Sequence, residues 1–86
     1  MLNFPNQSRV YDPTRHAVRF WGHDSAMEWS FFVTVEALKR LEPKLDGNEA
    51  GLLLAFDAHR PAIHAAAARA YQRGQKGSYE LAARDL

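Results

Sequence analysis

The sequence predicts an α+β fold, and three observations carry that prediction. Residues 1–34 are rich in aromatic and β-branched side chains, whereas residues 35–73 are dominated by Ala, Leu, Glu, Lys and Arg. Composition therefore switches from strand-forming to helix-forming near Thr34. Val18 and Phe20 alternate with Arg19, and Met27, Trp29, Phe31 and Val33 alternate with Glu28, Ser30 and Phe32, the period of two of strands with one buried face. Further on, Leu53, Phe56, Ile63, Ala67 and Tyr71 recur at helical spacing on one stripe. The expected architecture is a small antiparallel sheet packed by one short helix and one long, Ala-rich helix, all within a single domain spanning residues 1–86.

Taken in order, Asp12-Pro13-Thr14 reads as a turn, which makes Ser8 to Tyr11 a short edge strand or an extended arm. Residues 15–22 and 26–34 form an antiparallel hairpin around the turn formers Gly22-His23-Asp24-Ser25-Ala26. Placing Val18, Phe20, Trp29 and Phe31 on one face pairs even positions with odd ones. The same parity puts Arg19 and Glu28 together on the outer face, where a cross-strand ion pair is expected. Thr34 is placed to cap a short helix from about Val35 to Leu41, with Glu36 in its first turn against the helix dipole. Asn48 is a second N-cap, followed by Glu49. The helix it starts runs to Arg73 and stops at Gly74. Pro61 removes an N–H and disfavours helical geometry at Arg60, so this helix is either kinked or split at His59 to Pro61. The tail from Gly77 carries both signals: Tyr79 and Leu81 alternate like a strand, and residues 80–84 have helical propensity. A final strand is expected, because two strands alone are marginally stable.

Composition excludes several functional classes. The chain has 86 residues, no cysteine, and eleven basic against ten acidic side chains for a formal charge of +1. One modest core fits this length. Disulfides and a cysteine-built zinc site are absent, and the balanced charge argues against a general nucleic-acid binder. The longest compact apolar stretch, Ala50 to Phe56, is far shorter than the roughly 20 residues of a membrane span, and no signal peptide is expected at MLNFPNQSR. Cytoplasm is the expected location.

Four groups of residues invite a functional reading. His59 and His64 lie beside Asp57, but five residues apart on a helix they face different ways, so no metal is expected. Asp57, Arg60 and His64 are spaced three and four apart on one helical face. That trio could bind a small anion, with Arg60 as the donor fork, or could tie the helix junction to a loop or to the sheet. The latter reading is favoured, since no nucleophile, carboxylate dyad or phosphate-cradling loop accompanies it. The outer sheet face carries Arg15, Arg19, Trp21 and Phe32, which could serve as an interaction surface or stack nucleic-acid bases. The plainer expectation is that the rings are covered by the N-terminal arm, the tail or a second copy of the chain. Gly74-Gln75-Lys76-Gly77 has the two glycines of a backbone-clamping loop but too little chain after it, so it reads as a helix stop and a turn.

Taken together, Phe4-Pro5, Ala17-Val18-Arg19-Phe20, Phe32-Val33-Thr34 leading into Ala37-Leu38, and Ala55-Phe56 followed by His59-Arg60 resemble the bacterial domain-of-unknown-function family 1488. The resemblance covers nearly the whole chain and rests mostly on packing positions. It implies an α+β fold, an N-terminal sheet followed by helices, in a small bacterial cytoplasmic protein. It implies no catalytic residue, cofactor or partner, and Pro61 departs from its helical pattern after the arginine. The leading functional expectation is a small accessory or protein-interaction module, with a homodimer as one form, rather than an enzyme. Nucleic-acid binding through Arg15, Arg19, Arg69, Arg73 and Lys76 is the competing reading, and an anion site near Arg60 the third.

Overall fold

The computed structural model describes residues 1–74 and 77–86; Gln75 and Lys76, and the reading of Lys76 with them, lie outside the described residues. One sheet of five strands carries the fold: β1 (Leu2–Asn3), β2 (Arg9–Asp12), β3 (Ala17–Asp24), β4 (Met27–Thr34) and β5 (Ser78–Leu81). Both β1 and β2 pair antiparallel with β3, β1 at its end near Asp24 and β2 at its start. Helices α1 (Val35–Leu41), α2 (Glu49–Ala58) and α3 (Arg60–Gln72) follow β4, and a single 3-10 turn, Ala83–Asp85, follows β5.

The hairpin forms in the expected parity, with Val18 opposite Val33, Phe20 opposite Phe31 and Gly22 opposite Trp29. Its turn is tighter than the sequence suggests. Gly22, His23 and Asp24 belong to β3, and only Ser25 and Ala26 connect the strands, with Ser25 at φ 57. A positive φ at the first position of a two-residue loop matches the twist of the flanking strands. Gly22 stays in the strand because the arm crosses directly over it: a Cβ there would sit 2.9 Å from Leu2 Cδ1 and from Phe31 Cε1.

Thr34 Oγ1 accepts from the Ala37 N–H at 3.1 Å and Asn48 Oδ1 from the Gly51 N–H at 2.7 Å, so both helix starts are capped as expected. The long helix is split rather than kinked. His59 leaves helical geometry at φ −120 and ψ 22, and Pro61 sits in the first turn of α3, where its missing N–H costs nothing. Leu52, Ala55 and Phe56 are the buried residues of α2, and Leu53 packs against the core partly buried.

The tail is a strand, as expected, but it lies parallel to β4, with Phe31 opposite Tyr79 and Val33 opposite Leu81. The sheet is therefore mixed rather than antiparallel throughout, because the chain reaches β5 through the helical layer, as parallel pairing requires. Beneath that layer Phe20 packs on Phe31 and Phe56, with ring centres 5.5 and 5.2 Å apart, and Phe31 stacks on Tyr79 at 5.0 Å. Burying each such ring contributes about 1.5–3 kcal/mol. Ala66 and Ala67 are buried in the same core, and their small side chains let α3 approach the sheet closely.

Candidate functional site

The alternation that buries Val18, Phe20, Phe31 and Val33 points Arg19, Trp21 and Phe32 to the opposite face of the sheet. The core groups the buried residues of all three helices with the first set, so this second face carries no helical layer. Rows across it follow from the register. Val10, Arg19, Phe32 and Glu80 stand side by side on β2, β3, β4 and β5, and the next row holds Trp21, Ser30 and Ser78.

Phe32 is only 5% exposed, although neither the arm nor a helix covers it. Its cover is a pair of guanidiniums, with Arg15 Cζ 4.0 Å and Arg19 Cζ 5.6 Å from its ring centre. Arg19 Cζ also lies 5.1 Å from the Trp21 ring, and its Nη2 donates to Ser30 Oγ at 2.8 Å. Cations over aromatic faces are held by the ring quadrupole, worth about 0.5–1 kcal/mol each at exposed sites. Arg15 reaches Phe32 because the β2–β3 turn is fixed by Asp12, whose Oδ1 accepts from the Arg15 N–H at 3.2 Å. The result is a shallow trough of ≈ 660 Å³, floored by Phe32 and bordered by Asp12, Arg15 and Arg19 on one side and Ser30, Gly77 and Ser78 on the other.

The expected Arg19–Glu28 pair does not form. Glu28 lies directly opposite His23 in the register and holds its Nε2 at 3.0 Å, one row nearer the turn than Arg19 can reach. The arm expected to cover Trp21 and Phe32 lies on the core side instead. Phe4 packs against Phe20 and Phe31 and stacks on His64, with ring centres 3.9 Å apart.

Asp57 and Arg60 are together as the spacing suggested, but their partner comes from the other end of the chain. Arg9 on β2 grips Asp57 through Nε at 2.9 Å and Nη2 at 2.8 Å, and Arg60 Nη2 adds a bond to Asp57 Oδ1 at 2.9 Å and one to the Gln7 carbonyl at 2.8 Å. Bonding to Arg9, and then to Arg60, holds the Asp57 carboxyl below its ordinary 3.8. His64 sits beneath Phe4; burial, and secondarily the Arg60 charge, push its pKa below 6.5. His59 turns away to Glu42 Oε1 at 2.9 Å, and no group of three or more potential metal ligands occurs among the described residues. Arg69 and Arg73 gather around Asp85, Arg69 Nη2 donating to its carbonyl at 3.0 Å and Arg73 Nη2 lying 3.3 Å from Oδ1. They are thus apart from Arg15 and Arg19. Sequence reasoning also missed Asp24, whose Oδ2 accepts from the Tyr71 hydroxyl at 2.6 Å; residues 47 apart leave no local signal.

Fold and face together define a two-layer α+β protein with one sheet face bare of helices. The chain belongs to the family described as proteins of unknown function (DUF1488), whose model matches residues 2–82. A solved member of that family, a protein of unknown function from Shewanella loihica PV-4, shares the fold at a TM-score of 0.81 with 18% identity, over 93% of this chain and 90% of its own. No curated protein matches. No helix among the described residues is long and apolar enough to cross a membrane.

Proposed function

We propose that this chain is a small bacterial cytoplasmic interaction module that binds a protein partner through the outer face of its sheet. The lack of cysteine suits a reducing compartment. The observation that carries the reading is the bare face itself, on which two arginines stand over aromatic rings beside a trough wide enough for partner side chains. Aromatic and arginine side chains are the groups most enriched at the centres of protein interfaces. Asp12, Glu28 and Glu80 on the same face would repel a phosphate backbone, which favours protein over nucleic acid.

Affinity capture tests this reading. The wild-type chain is expected to retain a partner that the Trp21→Ala and Arg19→Ala variants lose, with far-UV circular dichroism unchanged. Folded variants that keep every partner of the wild type would contradict it.

A further inference from the structure

We propose that the protein partner presents an extended acidic segment to the outer face, with an Asp or Glu carboxylate in the trough and an apolar side chain two positions away seated on Trp21. The inference rests on the interaction-surface reading and names the chemistry that surface accepts. It starts from two guanidiniums gathered at one ring: Arg15 Cζ lies 4.0 Å and Arg19 Cζ 5.6 Å from the centre of Phe32. Neither has a carboxylate partner among the described residues. Like charges held over one apolar floor repel each other, and an anion between them relieves that repulsion.

Both guanidiniums have donors to offer. Arg15 engages Phe32 through its flat face, so its N–H groups, which lie in the guanidinium plane, stay open to an acceptor. Arg19 gives one N–H to Ser30 Oγ at 2.8 Å, which fixes its plane and leaves the others free. Ser30 and Ser78 add hydroxyls on the facing wall of the trough. A planar carboxylate accepts two parallel N–H donors at once, the pairing for which a guanidinium is shaped.

Charge sets the class of anion. Arg15 and Arg19 against Asp12 leave the lining of the trough with one positive charge in excess, which a single carboxylate neutralises. A nucleic-acid backbone carries its charges on past the trough. There it would meet Glu80, beside Phe32 in the same row, and Glu28 nearer the hairpin turn.

Dimensions set the form of the segment. Two folded surfaces in a specific complex bury about 1,200 Å² or more, which a face four short strands wide does not supply. A few residues of extended chain need only the trough and the row next to it. Trp21 follows Arg19 by two residues along β3, a step of about 6.6 Å. Side chains i and i+2 of an extended chain point the same way and are separated by that same step. An acidic residue at the arginine pair therefore brings the residue two positions away over the half-buried indole, which supplies an apolar seat beside Arg19.

Amide chemical shifts of the whole chain, titrated with capped pentapeptides to about 5 mM, read this directly. The peptide Gly-Glu-Ser-Leu-Gly is expected to shift the amides of Arg15, Arg19, Trp21 and Ser30 saturably, and to weaken as salt is raised. Its Gln counterpart, equal in shape and without the charge, is expected to bind at least about tenfold more weakly. R15Q and R19Q are each expected to lose at least about tenfold in affinity for the Glu peptide. Both positions are exposed, and the comparison of the two peptides on the wild type stands independently of the variants. No saturable shift with the Glu peptide, or equal affinity for the two peptides, overturns the acidic segment. It leaves the interaction surface standing if Trp21-dependent capture of a protein persists, whereas loss of both removes the surface as well. Unchanged affinity in both variants also overturns it. So does an oligothymidylate that shifts these amides where the Glu peptide does not, an outcome that assigns the face to nucleic acid.

Discussion

Arg9 of the edge strand and Asp57 of α2 meet in a two-pronged bond, Nε to Oδ1 at 2.9 Å and Nη2 to Oδ2 at 2.8 Å, across 48 residues of chain. With Arg60 bound to the same carboxylate and to the Gln7 carbonyl, the contact ties the N-terminal segment and β2 to the α2–α3 junction. Both partners are about one-third exposed, so solvent screening holds the coupling to about 0.5–1 kcal/mol. A double-mutant cycle of Arg9→Ala and Asp57→Ala in urea unfolding should return that value. A coupling of zero would show the bond to be incidental. Because the Asp57 carboxyl is held below 3.8 in the folded state, its contribution is full above that pH and is lost as pH falls through the lower folded value.

His64 predicts a second, milder acid step. Its folded pKa lies below the ordinary 6.5, so the unfolded chain binds the proton first, and stability falls as pH drops below 6.5. His64→Phe keeps a ring stacked on Phe4 and has nothing to protonate. Unfolding curves between about pH 7.5 and 5.5 should slope for the wild type and flatten for the variant. Equal slopes would place the titrating group elsewhere.

Gly22 predicts a packing effect rather than a turn effect. A Cβ there would meet Leu2 Cδ1 and Phe31 Cε1 at 2.9 Å and Phe4 Cε1 at 3.0 Å. Gly22→Ala should therefore cost about 1–3 kcal/mol by pushing the arm off the core. At roughly 4–8 °C per kcal/mol for a domain of this size, thermal unfolding resolves it. An unchanged midpoint would mean that the arm is not seated on β3.

What was legible in the sequence is local. The hairpin parity, the caps at Thr34 and Asn48 and the stop at Gly74 each depend on residues within a few positions of one another. What was not legible joins distant segments: Arg9 to Asp57, Phe4 to His64, Asp24 to Tyr71, and β5 alongside β4. Gly22 misled because a glycine among turn formers looks like part of the turn, whereas this one is kept small by the arm above it. The stripe through Leu53, Phe56, Ile63, Ala67 and Tyr71 was legible too: Phe56, Ile63 and Ala67 lie in the core and Leu53 and Tyr71 pack against it, although the helix that carries them is split at His59. On the outer face, alternation alone places Arg19, Trp21 and Phe32 together, and the register agrees, whereas Arg15, expected within the strand, lies in the turn before Ala17. Their cover was not legible, since a turn arginine folding back over Phe32 depends on the Asp12 bond that sets the turn.

The most direct measurement places a photo-reactive phenylalanine analogue at position 21 on the bare sheet face or at position 54 on the helical side. Leu54, on α2, is 69% exposed. Irradiation in the native cells, followed by mass spectrometry of the adducts, should yield a protein cross-linked from position 21 and none from position 54. Adducts from position 54 alone would contradict the sheet face as the binding surface.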